Sequence, residues 1–303
     1  MVINKSGMQL SYPPGLKPGD SIGIIAAGGK VEASAVEKGC RVIIENGFVP
    51  VVSGTLFRQN GYFAGSDRDR AESLMEMFLN PEIKAIVCAR GGYGCIRMAE
   101  FLDYDLIAAN PKIFMGFSDN TLLLSEITSR GEFITWHGPM VSSIAYSDKE
   151  SADSFFSVLS GTWKRRWILH DMVSLSGGTR LEGEAICGNL TTFCHTAGTK
   201  YQKNWSGCLL FIEDINEPAY KIDRMIFHMR LAGMFDGLKA VILGCFDGSA
   251  PLSEIHDLFV REFSSTETAV IAWPGFGHGT RNIPVPFGAN VLIDLNQGVV
   301  EWI

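Results

Sequence analysis

KAIVCARGGYG (84–94) reads as a buried strand running into a glycine-rich turn. Its apolar residues do not alternate with polar ones but run together from Ala85 to Ala89, the pattern of a strand covered on both faces. The same grammar extends outward on either side. Upstream, SIGIIAAGG (21–29) is an apolar run ending in glycines, a helical stretch covers about Ala33 to Asn46, and FVPVVSG (48–54) is a further strand. Asp67 or Asp69 starts a helix through Glu72, Leu74, Met75 and Phe78. Downstream, a helix near Ile96 to Leu102 precedes the strand KIFMGFS (112–118), and Asp119 to Ser129 is helical. Strands that are apolar throughout and alternate with helices predict an α/β, doubly wound, mainly parallel sheet domain.

The second half is mixed. A helix over 150–160 ends at Gly161, the strand-like WKRRWILH follows, and the polar stretch Ser174 to Gly183 is the expected boundary. This divides the chain into an N-terminal domain over 1–170 and a C-terminal domain over 180–303. Beyond the boundary come EAICGNL, a helix through Ala197, the strand CLLFIED (208–214), a helix from Tyr220 to Ala232 and the strand AVILGCF (240–246). A helix around 252–263, the strand TAVIAWPGF (268–276) and the pair ANVLIDL and GVVEWI complete a mixed α/β domain with an antiparallel tail.

Composition narrows the function classes. At 303 residues, 46% hydrophobic and 19% charged, with a net charge of -7, the chain is a folded globular protein without the basic face of a nucleic-acid binder. Lys164-Arg165-Arg166 between Trp163 and Trp167 is the densest basic cluster and reads as a solvated strand. The seven cysteines lack a C-x-x-C spacing and sit mostly in apolar runs, as reduced, buried side chains do. MVINKSGMQLSYPPGLKPGD lacks the apolar core of a secretory signal, and no apolar run is long enough to span a bilayer. The expectation is a cytoplasmic protein with no membrane partner, no metal and no cofactor.

Three polar residues follow apolar strands directly: Ser118 after IFMGF, Glu213 after CLLFI, and His278 after AVIAWPGFG. The crevice beyond the carboxyl ends of such strands is where α/β sheets bind ligands. A serine, a carboxylic acid and a histidine placed there are the ingredients of a nucleophilic triad. Each has a plainer reading as well. Ser118, Asp119 or Asn120 could cap the following helix, Glu213, Asp214 and Glu217 compete for one functional role, and His278 between glycines could be structural. Arg90-Gly91-Gly92-Tyr93-Gly94 offers exposed N–H groups for a carboxylate, a phosphate or an oxyanion, yet it is neither a dinucleotide fingerprint nor a P-loop. Cys88, within the apolar run before it, fits burial better than catalysis. His170, His195, His228 and His256 show no metal-ligand spacing.

ARGGYG (89–94), GFSDNT (116–121), HGPM (137–140), GNL (188–190), EDINEP (213–218), ILGCF (242–246) and GFGHG (275–279) resemble, in the same order, the motifs of the LD-carboxypeptidase family of serine peptidases. That family includes muramoyltetrapeptide carboxypeptidases and microcin C immunity peptidases. The resemblance covers the chain from Gly19 onward. One departure is Cys187 where the family often has the first glycine of Gly-Gly-Asn-Leu. The resemblance implies Ser118 as nucleophile, Glu213 as orienting carboxylate, His278 as general base, and the N–H groups of Gly92 and Asp119 as oxyanion hole. It implies a site at the junction of the two domains, a homodimer, and a murein tetrapeptide losing its terminal D-alanine. Arg90, Tyr93 and Arg281 are candidates for substrate binding, the arginines by pairing with a terminal carboxylate. The rival readings are an amidase acting on a peptide-nucleotide and a non-catalytic peptide- or sugar-binding module.

Overall fold

The computed structural model describes residues 2–3, 7, 9–169 and 171–303. His170 and part of the opening segment, on which two of the sequence readings fall, lie outside them. The chain forms two compact units: Leu10–Trp163 with Asn282–Phe287, and Lys164–Arg281 with Gly288–Ile303. The architecture is α/β in both, as the alternation of runs predicts.

The first unit is built on a six-stranded sheet. Its strands follow the order Val285–Phe287, Thr135–His137, Ile113–Gly116, Ile83–Cys88, Ser21–Ile25, Val49–Val52. All pairs are parallel except the antiparallel edge between Val285–Phe287 and Thr135–His137. The inner strands are buried on both faces because helices flank them, which is why their sequences are unbroken apolar runs. Phe78, Phe114 and Phe133 are fully buried and pack ring to ring at 6.1–6.3 Å. The helix Asp67–Leu79 starts at Ser66, whose Oγ accepts from Asp69 N at 3.1 Å while Asp69 Oδ2 accepts from Ser66 N at 2.9 Å. This reciprocal cap stabilises the helix start by about 1 kcal/mol.

The second unit is built on an eight-stranded sheet: Arg166–Ile168, Val299–Trp302, Asn290–Asp294, Arg180–Asn189, Cys208–Ile215, Ala240–Asp247, Ala269–Ala272, Val173–Ser176. The four consecutive strands from Arg180–Asn189 to Ala269–Ala272 are parallel, and the flanking strands are antiparallel. Its core holds the aromatic group Phe211, Trp273, Phe276 and Trp302, all buried. The tryptophans around the basic cluster are both packed. Trp163 meets Tyr12 and Trp136 in the first unit, and Trp167 meets Trp273 and Trp302 in the second. They are therefore not presented as stacking platforms. No helix among the described residues is long and apolar enough to cross a membrane.

Candidate active site

In the first unit, Ile113–Gly116 ends at Phe117, and Ser118 opens a single 3-10 turn, Ser118–Asn120, ahead of the helix Thr121–Gly131. Ser118 has φ 63°, a left-handed conformation that costs a non-glycine residue about 1–3 kcal/mol. Strain of this kind persists only where the surroundings over-determine it, and here they do. Gly91 lies so close that a β-carbon on it would fall 2.7 Å from Ser118 Cβ and 2.8 Å from Oγ. Asn120 Nδ2 donates to Arg90 O at 3.2 Å and to Phe117 O at 3.0 Å. Asp119, buried, accepts from Cys95 N at 2.9 Å through Oδ2, tying the serine turn to the end of the Arg90–Gly94 turn. The helix Thr121–Gly131 carries no side-chain cap hydrogen bond at Asn120.

The glycine turn is equally constrained. Gly92 has φ 112°, and a β-carbon there would sit 2.8 Å from Gly29 N. Gly29 N in turn donates to Gly91 O at 3.0 Å. Arg90 is exposed, and its Nη1 donates to Lys30 O at 3.0 Å. Tyr93 is exposed beside Tyr62 and Phe63, with ring centroids 6.1 and 5.8 Å away. Cys88 is wholly buried, and its thiol is pushed well above its ordinary pKa by that burial and then by Asp119, which keeps it protonated.

In the second unit, Arg180–Asn189 and Cys208–Ile215 run in parallel register, pairing Asn189 with Glu213 at their carboxyl ends. On the other side the register with Ala240–Asp247 shifts between Ile212 and Asp214, where Gly244 and Cys245 together stand opposite Glu213. Glu213 is fully buried, and its Oε2 lies 2.5 Å from His278 Nδ1. The loop carrying His278 is held by Trp273 N donating to Leu243 O and Cys245 N donating to Phe276 O. Gly277, φ 109°, lets the loop backbone press on Glu213: a β-carbon there would fall 2.7 Å from Glu213 Cβ. Burial alone would lower the His278 pKa, but Glu213, by charge and hydrogen bond, outweighs it with help from Asp214 and Asp247, so the imidazole titrates above its usual value.

Asp214 divides the work of this acidic segment. Its Oδ1 accepts from Asn189 Nδ2 at 2.9 Å and Ile215 N at 2.8 Å, and its Oδ2 from Thr191 N and Oγ1 at 2.9 and 2.8 Å. It fixes the GNL segment and the start of the helix Leu190–Cys194, and burial, then the neighbouring Glu213, raise its pKa. The sequence offered Glu213, Asp214 and Glu217 as competitors. Adjacent strand residues face opposite ways, so the first meets His278 and the second holds structure. Arg281 pairs with Asp171 through Nη1. His195 and His228 line an open cleft of about 400 Å³ with Thr191, Glu217, Lys221 and Arg224. Among the described residues no group of three or more His, Cys, Asp or Glu is arranged to hold a metal ion.

Residues 22–138 match the LD-carboxypeptidase N-terminal domain and residues 182–293 the LD-carboxypeptidase C-terminal domain. A protein of Bacillus subtilis named "Probable murein peptide carboxypeptidase" is 33% identical over 302 residues, covering 96% of this chain and 94% of that protein. The murein tetrapeptide carboxypeptidase of Pseudomonas aeruginosa is 32% identical over 255 residues, 80% of this chain and 81% of the relative. The microcin C7 self-immunity protein MccF of Escherichia coli is 27% identical, covering 93% of this chain and 92% of its own. Among solved structures, an MccF-like protein from Bacillus anthracis superposes with a TM-score of 0.87 at 25% identity, covering 97% and 99% of the two chains. A muramoyltetrapeptide carboxypeptidase from Oxalobacter formigenes does so with a TM-score of 0.79 at 26% identity, covering 93% and 97%. The matched domains account for most of the chain, the relatives align over about four-fifths or more of their length, and the chain therefore belongs to the LD-carboxypeptidase family of peptidases.

Proposed function

We propose that this peptidase is of the serine type and releases the terminal D-alanine of murein tetrapeptide by hydrolysing the L,D-amide bond, as a step of cell-wall recycling in the cytoplasm. The reading rests above all on the Glu213–His278 pair, a buried carboxyl 2.5 Å from an imidazole whose basicity it raises. Ser118 is the nucleophile, carried on the N-terminal domain, while Glu213 and His278 belong to the C-terminal domain. His278 takes the Ser118 proton, and the alkoxide attacks the amide carbonyl. The N–H groups of Gly92 and Asp119 receive the developing oxyanion, His278 passes its proton to the departing D-alanine amine, and water, deprotonated by His278, hydrolyses the acyl-enzyme and restores Ser118. Arg90, Tyr93 and Arg281 contact the substrate, and the working enzyme is a homodimer.

The names of the Bacillus subtilis and Pseudomonas aeruginosa relatives favour the murein substrate. The likeness to MccF-like proteins supports a second reading, cleavage of an amide within a peptide-nucleotide. Mass-spectrometric product analysis on L-Ala-D-Glu-diaminopimelate-D-Ala, its lysine analogue and an aminoacyl sulfamoyl adenosine separates them. Release of D-alanine supports the murein reading, and cleavage of the nucleotide conjugate alone replaces it. Ser118→Ala should lower turnover on the order of a thousandfold or more with the fold intact. A near-normal rate in that variant would overturn the serine mechanism.

A further inference from the structure

Arg70 is a cation in the core of the first unit, its side chain only 1% exposed. It stands on the helix Asp67–Leu79, yet its Nη1 reaches two loops at once, donating to Ala27 O at 2.5 Å and to Gly94 O at 2.9 Å. Nη2 pairs with Asp67, whose two oxygens also accept from Arg97 Nε and Nη2. The guanidinium lies over the Phe63 ring, 5.0 Å from its centroid. The space is closed so tightly that a β-carbon on Gly94 would fall 2.7 Å from Arg70 Nη1.

The two carbonyls belong to the segments that build the serine's surroundings. Ala27 leads into Gly28 and Gly29, and Gly94 ends the turn that contains Gly91 and Gly92. The segments touch again at Gly29 N–Gly91 O, 3.0 Å, and Gly28 lies against Asp119, where a β-carbon would meet Oδ2 at 2.7 Å. As a device for stability a buried guanidinium is a poor choice, since an apolar residue of similar volume generally does as well or better. Here the Nε, buried, has no hydrogen-bond partner, so part of the desolvation cost stays uncompensated. What a planar fork does supply is fixed geometry between two backbone carbonyls and a carboxylate.

We propose that Arg70 is a positioning residue for the oxyanion site, clamping the backbone at Ala27 to that at Gly94 and so fixing where the Gly92 N–H points relative to Ser118. The inference rests on the roles given above to Ser118 and Gly92. Arg70→Lys keeps the charge and loses the fork. Its turnover on the murein tetrapeptide, per active site counted by mass-spectrometric titration with a fluorophosphonate, should fall about tenfold to a hundredfold while KM stays within about twofold. A purely structural role predicts the reverse: a lower Tm and fewer titratable sites, with unchanged turnover at each. That result overturns the proposal. Should Arg70→Lys not fold, Asp67→Asn, which leaves Arg70 in place but releases its second anchor, gives the same split with a smaller loss, and unchanged turnover per site in it is equally decisive. Ser118→Ala is measured in parallel. If it retains turnover, the serine reading fails and this inference with it; if it is inactive while Arg70→Lys turns over normally, only the role of Arg70 fails.

Discussion

Gly91 faces Ser118 with no room for a methyl group: the β-carbon of an alanine would overlap Ser118 Cβ at 2.7 Å and Oγ at 2.8 Å. Neither side can yield easily, because Ser118 is held at φ 63° and Gly91 O is bonded to Gly29 N. Gly91→Ala must therefore move the hydroxyl, the turn or both. With Ser118 in its proposed role, turnover should drop on the order of a hundredfold, since a displacement of about 1 Å from the productive geometry has that effect. Circular dichroism and kcat measured on the same preparation check it; full activity in a folded variant contradicts the packing argument.

The left-handed backbone at Ser118 makes a thermodynamic prediction separate from chemistry. Glycine adopts φ 63° without the steric cost that alanine bears. Ser118→Gly should exceed Ser118→Ala in stability by about 1 kcal/mol. Chemical denaturation of the two variants reads the difference, and an Ala variant as stable as the Gly variant would mean the turn relaxes freely.

A raised His278 pKa has consequences in two measurements. The proposed mechanism needs the neutral imidazole, so the acidic limb of kcat/KM should lie above the ordinary histidine value of about 6.5. The groups acting on His278, beside burial, are Glu213, Asp214 and Asp247. Glu213→Gln should shift the limb downward as well as lower kcat. In stability the sign is fixed by the folded value lying above the unfolded one. The attraction to Glu213 contributes fully below the unfolded pKa and fades as pH rises through the folded pKa. The stability gap between the wild type and Glu213→Gln should therefore narrow as pH rises above the ordinary histidine value of about 6.5. A gap that widens over that range would refute it.

The two arginines offered for the substrate carboxylate differ in what already occupies them. Arg281 is paired with Asp171, whereas Arg90 spends one N–H on Lys30 O and stays exposed. A carboxylate captured by Arg281 must displace or share Asp171. Arg90→Ala should raise KM about tenfold or more, and Arg281→Ala less. Steady-state kinetics on the tetrapeptide decide, and the opposite ranking would transfer the carboxylate to Arg281.

The sequence made the inner strands readable because burial on both faces removes polar residues: IKAIVC, IFMG, CLLFIEDI and AVILGCFD all stand as nearly continuous runs. Thr135–His137 and Val285–Phe287 were not legible, being three residues each and paired across about half the chain. Pro286 fits that strand because it lies at a sheet edge, where a missing N–H matters least. Val173–Ser176 hid inside a polar stretch because it too is an edge, half exposed. Ser118, Glu213 and His278 are each legible as a polar group that follows an apolar run. The structural roles of Asp214 and Arg70 are not, since nothing local marks an acid that fixes a neighbouring strand end or an arginine that reaches loop carbonyls 24 and 43 residues away.

The strand Val285–Phe287, drawn from late in the chain, seals the edge beside Thr135–His137. A gene truncated after Trp163 would encode every parallel strand of the first sheet but leave that rim bare. Its main-chain groups would then be open to pairing with a neighbouring molecule. The halves of this peptidase are thus stitched by their thread rather than strung like beads, and neither can be exchanged by recombination at a single point without carrying off a piece of the other.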